Sequence, residues 1–495
     1  MTDERTRLGY GLIGLILLLL LGLLAWLANL PPRPSAPAGE APTGPARLES
    51  LARLNGEPPV HRALNIQDWR TAEGARVLFV EARQLPMFDL RLTFAAGSSQ
   101  DGGTPGLALL TNAMLNEGVP GKDATAIAEG FEGLGAQFGN GAYRDMAVAS
   151  LRSLSDPAKR EPALALFREV LGRPDFPADA LARIKNQMLA GFEMRKQSPG
   201  KLASLALNRQ LFGSHPYAHP SDGDTESIAP IGREQLQAFH ARAYSAANAV
   251  IALVGDLSRS EAEAMAAAIS AALPAGPALA KPAAPAPPKP GLQHIEYPSQ
   301  QTHLMLAQLG IARDDPDYAA LFLGNQILGG GGFGARLMEE VREKRGLTYG
   351  IYSGFTPMQV RGPFMINLQT RADYSQGTLE LVQQLVRAFI AEGPTAKELK
   401  DAKRELIGSF PLSTASNADI VGQLGAIGFY DLPLNHLEVF LQQVQALTVE
   451  QVKTAMARHI DPDGFVVVSA GPTVEQKPLP PPTAPAERPA VTPEH

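Results

Sequence analysis

Cysteine is absent from the chain. Its absence excludes disulfide frameworks, thiolate metal sites, iron–sulfur clusters and cysteine nucleophiles, and it fits an oxidising or a reducing compartment alike. Histidine is scarce: residues 61, 215, 219, 240, 294, 303, 436, 459 and 495 carry all the imidazole chemistry available. A basic excess is also missing. Lys and Arg number 44 against 50 Asp and Glu, a formal charge of −6, so the electrostatic footprint of a nucleic-acid binder is lacking. Against these absences, 45% of 495 residues are hydrophobic, ample for a large buried core.

The longest charge-free apolar run spans 8–30 and is nearly pure leucine from Leu15 to Leu24. As a helix it reaches ~30 Å or slightly more, enough to cross a bilayer. Tyr10 and Trp26 sit where interfacial aromatics would. A cleaved signal peptide is the rival reading, but its apolar stretch is shorter, roughly 7–15 residues, and ends at a small-x-small site. Around Ala28 the corresponding position is Trp26, and Ala36-Pro37-Ala38 carries a proline. The run therefore predicts an uncleaved single-pass anchor. Arg5 and Arg7 precede it and Arg33 follows, a weak bias toward a cytoplasmic N-terminus. In a bacterial inner membrane that topology puts the main domains in the periplasm.

Proline divides the rest. The composition predicts an anchor at 1–30, a Pro/Ala-rich tether at 31–59, a first domain at 60–272, a Pro/Ala-rich linker at 273–291, a second domain at 292–472 and a disordered Pro-rich tail at 473–495. The two domain-sized blocks look alike. Asn112-Ala-Met-Leu matches Asn325-Gln-Ile-Leu, Pro177-Ala-Asp-Ala-Leu matches Pro394-Thr-Ala-Lys-Glu-Leu, and the apolar run 249–256 matches 465–472. In each, a strand (Met87 to Phe94; His303 to Leu309) leads into an apolar helix (Leu107 to Leu115; Tyr318 to Leu328). Hairpin-like strand pairs (136–154; 348–370), two long helices and a closing apolar strand follow. Helices and strands so intermixed predict an α+β fold of two homologous halves, each a mainly antiparallel sheet packed with helices.

Several separated motifs carry a resemblance. They are Leu328-Gly-Gly-Gly-Gly-Phe-Gly-Ala-Arg-Leu-Met, then Val341-Arg-Glu-Lys-Arg-Gly-Leu-Thr-Tyr-Gly-Ile-Tyr, together with Phe212-Gly-Ser-His-Pro-Tyr217 and the segment from Tyr244 to Asp256. In this order they resemble the insulinase/pitrilysin family of zinc metallopeptidases, in the branch of mitochondrial processing peptidase and its bacterial relatives. The resemblance covers about 60–472 and implies that the halves form a clam-like half-chamber. In the family, an inverted His-x-x-Glu-His on a first-half helix supplies two zinc ligands and a general base, and a downstream glutamate completes the site. Here Leu109 stands at the first His, Asn112 at the Glu and Ala113 at the second His. Gly191 or Ala190 falls at the distal ligand, with Glu193 near but off register. No metal is therefore expected on this chain. What the second half keeps is Arg342 and Tyr349, which the resemblance assigns as the pair that binds substrate and stabilises the tetrahedral intermediate. Both are hydrogen-bond donors, as a developing oxyanion requires. The alternative at these two positions is a solvated basic helix end and an ordinary strand aromatic.

Other features are weaker. Gly329 to Gly332 lacks the Gly-Lys-Ser/Thr of a phosphate loop and predicts a flexible turn before a helix over Ala335 to Arg345. His215 and His219 have helical metal-pair spacing, but Pro216 and Pro220 oppose a helix there. Asp314, Asp315 and Asp317 lack EF-hand spacing and predict a solvated turn. The functional expectation is a zinc-free peptidase subunit that lends Arg342 and Tyr349 to a zinc-bearing homologous partner acting on peptides or unfolded proteins. The alternative is a non-enzymatic scaffold that kept only the fold, as core subunits of the respiratory cytochrome bc complex did within the family.

Overall fold

Alternation along Met87–Phe94 puts Phe88, Leu90, Leu92 and Phe94 on one face, and all four are buried. Segments of this kind build two sheets in the computed structural model, which describes residues 63–483. The expected anchor at 1–30, the tether at 31–59 and the end of the tail lie outside the described residues. Among the described residues no helix is long and apolar enough to cross a membrane.

The first half supplies strands β1 (Gln67–Arg70), β2 (Arg76–Glu81), β3 (Met87–Phe94), a two-residue ladder of β4 (Gly118–Val119) and β5 (Lys122–Asp123), β6 (Gln137–Ala142), β7 (Ala147–Leu154) and β8 (Ala249–Gly255). The second supplies β9 (Gly291–Glu296), β10 (Gln301–Leu309), β11 (Ile351–Phe355), β12 (Pro363–Arg371) and β13 (Val466–Gly471). Sheet order is β1-β2-β8-β3-β7-β6 in one half and β9-β13-β10-β12-β11 in the other. The β2–β8 and β9–β13 pairs are parallel, and every other neighbouring pair is antiparallel. Strand by strand the second sheet repeats the first without β1. The internal likeness in the sequence is thus a duplication of topology, and the expected mixed fold of two sheet-and-helix halves is present.

The halves interlock. Helix Pro199–Phe212, from the first half, lays Ala203, Leu207 and Leu211 on Ala307, Leu309, Val466 and Val468 of the second sheet. Helix Asn417–Phe429, from the second half, lays Val421, Leu424 and Ile427 on Leu78, Val80, Ala252 and Val254 of the first. A Cβ at Gly428 would lie 2.3 Å from Cγ1 of Val250, so only glycine permits this approach. Each large apolar side chain buried this way stabilises the arrangement by ~1.5–3 kcal/mol. The opposite faces of the two sheets carry separate cores under each half's own helices.

Two proline-rich stretches are more ordered than their composition suggests. The 273–291 stretch lies along the first half: Leu279 N donates to Asn248 Oδ1 at 3.0 Å, Gln100 Nε2 to Ala280 O at 3.0 Å, and His215 Nε2 meets Ala283 O at 2.7 Å. The tail, expected to be disordered from 473, continues as a docked segment to Thr483. Lys477 N donates to Asp373 O and Thr483 N to Lys344 O, both at 2.8 Å, while Leu479 packs against the second core. Backbone donors that find acceptors, and one half-buried leucine, hold an extended chain that has no apolar period of its own.

Candidate functional site

The helix that carries the degenerate motif, Leu107–Ala113, starts on a buried carboxylate. Asp101 accepts the N–H of Gly106 at 2.9 Å and of Ala108 at 2.7 Å, satisfying donors that a helix start leaves open. Burial outweighs these bonds and pushes the Asp101 carboxyl up to about 7. At Gly106 the backbone has φ +90°, and a Cβ would meet Ile228 at 2.6 Å, which fixes glycine there.

On this helix Leu109 and Ala113 are half-buried and offer no metal donor, while Asn112 is 2% exposed. The Asn112 amide is already engaged: Nδ2 donates to the Tyr244 hydroxyl at 3.1 Å and toward Val148 O at 3.4 Å. The Asn112 backbone carbonyl accepts Asn140 Nδ2 at 2.6 Å. Tyr244 is fully buried, and burial raises its hydroxyl well above the usual tyrosine range. Asn112, which the resemblance sets at the family's general base, is thus a structural tie between helix, strand and Tyr244. In the second half Asn325 also ties its helix to a strand, but to a different one, β11. Asn325 donates through Nδ2 to Ser353 O at 3.1 Å and accepts Ser353 Oγ at 2.7 Å.

The distal position is equally unsuited to a cation. Helix Ala178–Lys196 presents Gly191 and Ala190 there, and Glu193 is exposed and paired with Lys196 at 2.7 Å. Zinc needs imidazole, thiolate or carboxylate donors in a tetrahedral set. Leu109, Asn112, Ala113 and Gly191 do not make one, and no step through a metal can be derived at this helix. His215 and His219 do not form a pair either. His215 Nδ1 accepts the N–H of Tyr217 at 3.1 Å and its Nε2 faces Ala283 O, while His219 turns Nδ1 to Pro220 O at 3.1 Å. Sequence spacing missed the one grouping with metal-ligand types among the described residues, Asp315, Asp317 and His459. His459 lies 142 residues from Asp317, too far for any local pattern to join them. Arg458 also binds Asp317, at 2.6 Å, and already supplies the cation.

In the second half the expected helix over Ala335 to Arg345 winds differently. Gly331 N bonds to Gln326 O at 2.8 Å and Lys344 N to Glu339 O at 2.9 Å, both i+5 spacings. Such widened turns are rare and recur at functional sites. They bracket the glycine-rich turn, whose Gly329 packs so closely on β11 that a Cβ would fall 2.4 Å from Ser353 Oγ. Beyond it the backbone opens, and Phe333 is 59% exposed. Arg342 Cζ lies 4.6 Å from the Phe333 ring centroid, and Nε is 3.8 Å from Glu343. The neighbouring bases are used locally, since Lys344 and Arg345 both bond to Glu340. Gly346, at φ +62°, ends the turn as expected. Tyr349 precedes β11, and at 87% exposed it is the most exposed large hydrophobic residue of those described. Among the described residues no hydrogen bond or ring contact joins Arg342 to Tyr349.

A polar network that sequence reasoning missed ties the halves beside the motif helix. Tyr217 donates its hydroxyl to Asp145 at 2.6 Å, and the N–H of Gln359, from the second half, donates to the other Asp145 oxygen at 2.9 Å. Arg144 Nη1 donates to the carbonyls of Tyr217 and His219 at 2.7 and 3.0 Å. No local pattern in Phe212-Gly-Ser-His-Pro-Tyr217 points to this network, because Asp145 lies 72 residues upstream of Tyr217.

Residues 230–406 match the domain described as peptidase M16 inactive domain. The crystal structure of a peptidase M16 inactive domain from Pseudomonas fluorescens is 74% identical, with a TM-score of 0.83 over 84% of this chain and 100% of that one. A Helicobacter pylori protein named non-peptidase homolog YmxG is 28% identical over 79% of this chain and 91% of its own length. A Bacillus subtilis relative at 24%, covering 74% and 88%, is named an uncharacterized zinc protease.

Proposed function

The chain belongs to the peptidase M16 family, and from that premise we propose that it is a zinc-free subunit of a heteromeric peptidase. In this reading a zinc-bearing homologous chain supplies the metal and the base. The present chain closes over it as half of a chamber and offers Arg342 and Tyr349 to the substrate, a peptide or an unfolded protein. One contrast supports the reading. Asn112, at the base position, is buried and bonded to Tyr244, whereas Tyr349 stands exposed. Phenol and guanidinium donors can stabilise an oxyanion that the chain has no means of generating.

The test is peptide hydrolysis by this chain mixed with a family member bearing an intact His-x-x-Glu-His. Alone, the chain cleaves nothing and holds no stoichiometric zinc by elemental analysis. Mixed, it raises activity. Loss of one oxyanion donor costs ~100–1,000-fold in turnover. Tyr349→Phe therefore depresses activity with assembly intact by size-exclusion chromatography, and Arg342→Ala depresses it further. Wild-type activity in both assembled variants would refute the pair's role.

A scaffold without chemistry is the second reading. It is favoured by Asn112 and Asn325 each tying a helix to a strand of its own half, and by Arg342 resting on Phe333. For location we propose a single-pass bacterial inner-membrane protein with its main domains in the periplasm, on the strength of the charge-free run at 8–30. Protease added to spheroplasts then degrades the main domains. A mature N-terminus near Ala38 in a soluble fraction would instead mark a cleaved signal peptide.

A further inference from the structure

The duplicated fold is unequal at one place. In the first half, β2 is flanked by β1, with Trp69 opposite Val77 and Gln67 opposite Phe79, and by helix Arg259–Ser270. Trp69 meets Phe79 edge-on at 6.5 Å and carries Arg259 over its ring at 3.7 Å. The counterpart of β2 is β9, because Arg76 pairs with Val250 as Gly291 pairs with Val466. On this register Leu292 stands for Val77 and His294 for Phe79. Yet β9 is the edge strand of its sheet, and Leu292 is 62% exposed. After β13 comes the extended tail rather than a helix, and a groove of about 850 Å³ opens beside β9, lined by Leu292, His294, Leu379, Glu380 and Val474 among others.

The cause lies in the sequence. The residues 215 positions after β1 are Pro282-Ala283-Ala284-Pro285, inside the proline-rich stretch that lies along the first half. Proline has no N–H to give to a ladder, so this stretch is a poor copy of β1. Gly291 N and Tyr297 N bond toward β13. Alternation therefore points the N–H and C=O of Leu292, His294 and Glu296 outward, and among the described residues none of these groups has a recorded partner. The Leu292 and His294 side chains line the groove, while Gln293 and Ile295 face helix Pro199–Phe212.

We propose that this edge is a docking site for an extended segment of another polypeptide, added antiparallel to β9 as β1 is added to β2. The occupant carries a large apolar side chain opposite Leu292, where Trp69 stands in the first half, and directs it into the groove. An unpaired edge supplies backbone bonds, and pockets for alternate side chains supply selectivity. The proposal is independent of the roles assigned to Arg342 and Tyr349.

The probe is a labelled peptide spanning residues 65–72, the β1 sequence itself, titrated onto the full-length chain by fluorescence anisotropy. Saturable binding is expected, weakened about tenfold or more by Leu292→Pro. That substitution deletes an outward N–H and leaves the β13 ladder intact. Leu292→Asp, which keeps the backbone donor and removes the apolar contact, serves as the second variant, with circular dichroism confirming that both fold. Residue-resolved hydrogen exchange should show fast amides at 292, 294 and 296 in the free chain, slowed by the peptide, against slow amides at 293 and 295 throughout. No saturable binding, or binding that neither variant weakens, overturns the proposal. Slow exchange at 292, 294 and 296 in the chain alone overturns it too, since the edge would then be covered by the chain itself or by a second copy.

Discussion

Asn112 shows how one substitution changes the meaning of a position. Its amide is a donor where the family's base would be an acceptor, and it is spent on Tyr244 and Val148. Truncating one member of a buried hydrogen bond leaves the other unsatisfied, at a cost of ~1–3 kcal/mol. Asn112→Ala should lower the urea midpoint accordingly, and Tyr244→Phe added to it should recover part of the loss. No recovery would mean that Asn112 acts through packing alone. That Leu109 and Ala113 bring no metal donor to this helix was legible in the sequence, because residue type alone decides whether a donor exists. The bond to Tyr244 was not, because 132 residues separate the partners.

At the scale of the element, the motif helix depends on a titratable cap. The Asp101 carboxyl sits at about 7 in the folded chain because burial disfavours its charge, against an ordinary value near 3.8. The folded state thus holds this proton more tightly than the unfolded state. Stability contributed by the group is greatest below about pH 4, is lost as pH rises toward 7, and is level above. Burial shifts Asp145, in the network that joins the halves, in the same direction. Thermal midpoints measured from pH 5 to 8 should fall less steeply for Asp101→Asn than for the wild type, and identical slopes would show that Asp101 does not carry the effect. Most strands were legible from alternation, Met87–Phe94 to the residue. The widened turns after Gln326 and Glu339 were not, since i+5 bonding has no pattern distinct from an ordinary helix and here accompanies close packing on β11.

At the scale of the molecule, helix exchange makes each sheet depend on the other half of the chain. Leu424 is fully buried against the first sheet although it belongs to the second half. Leu424→Ala should cost ~2–5 kcal/mol. The loss should appear as an earlier transition for both halves together, read by calorimetry and by Trp69 fluorescence. Separate transitions, with only one half affected, would mean that the halves fold independently. The proline-rich stretch between the two domain-sized blocks lies along the first half, through bonds that its composition did not show.

Chemistry that depends on residue type was set by the sequence alone. The chain has no cysteine, and Leu109, Asn112 and Ala113 bring no imidazole or carboxylate to their helix; a duplicated order of strands and helices follows from duplicated patterning. Tertiary structure decided what those residues became. It turned Asn112 into a tie, left Tyr349 in solvent, crossed one helix of each half onto the other sheet and left β9 as an edge. These outcomes depend on contacts between residues far apart in the chain, and on the failure of a proline-rich stretch to pair. Local propensity is blind to both, because burial and backbone pairing belong to the assembled fold.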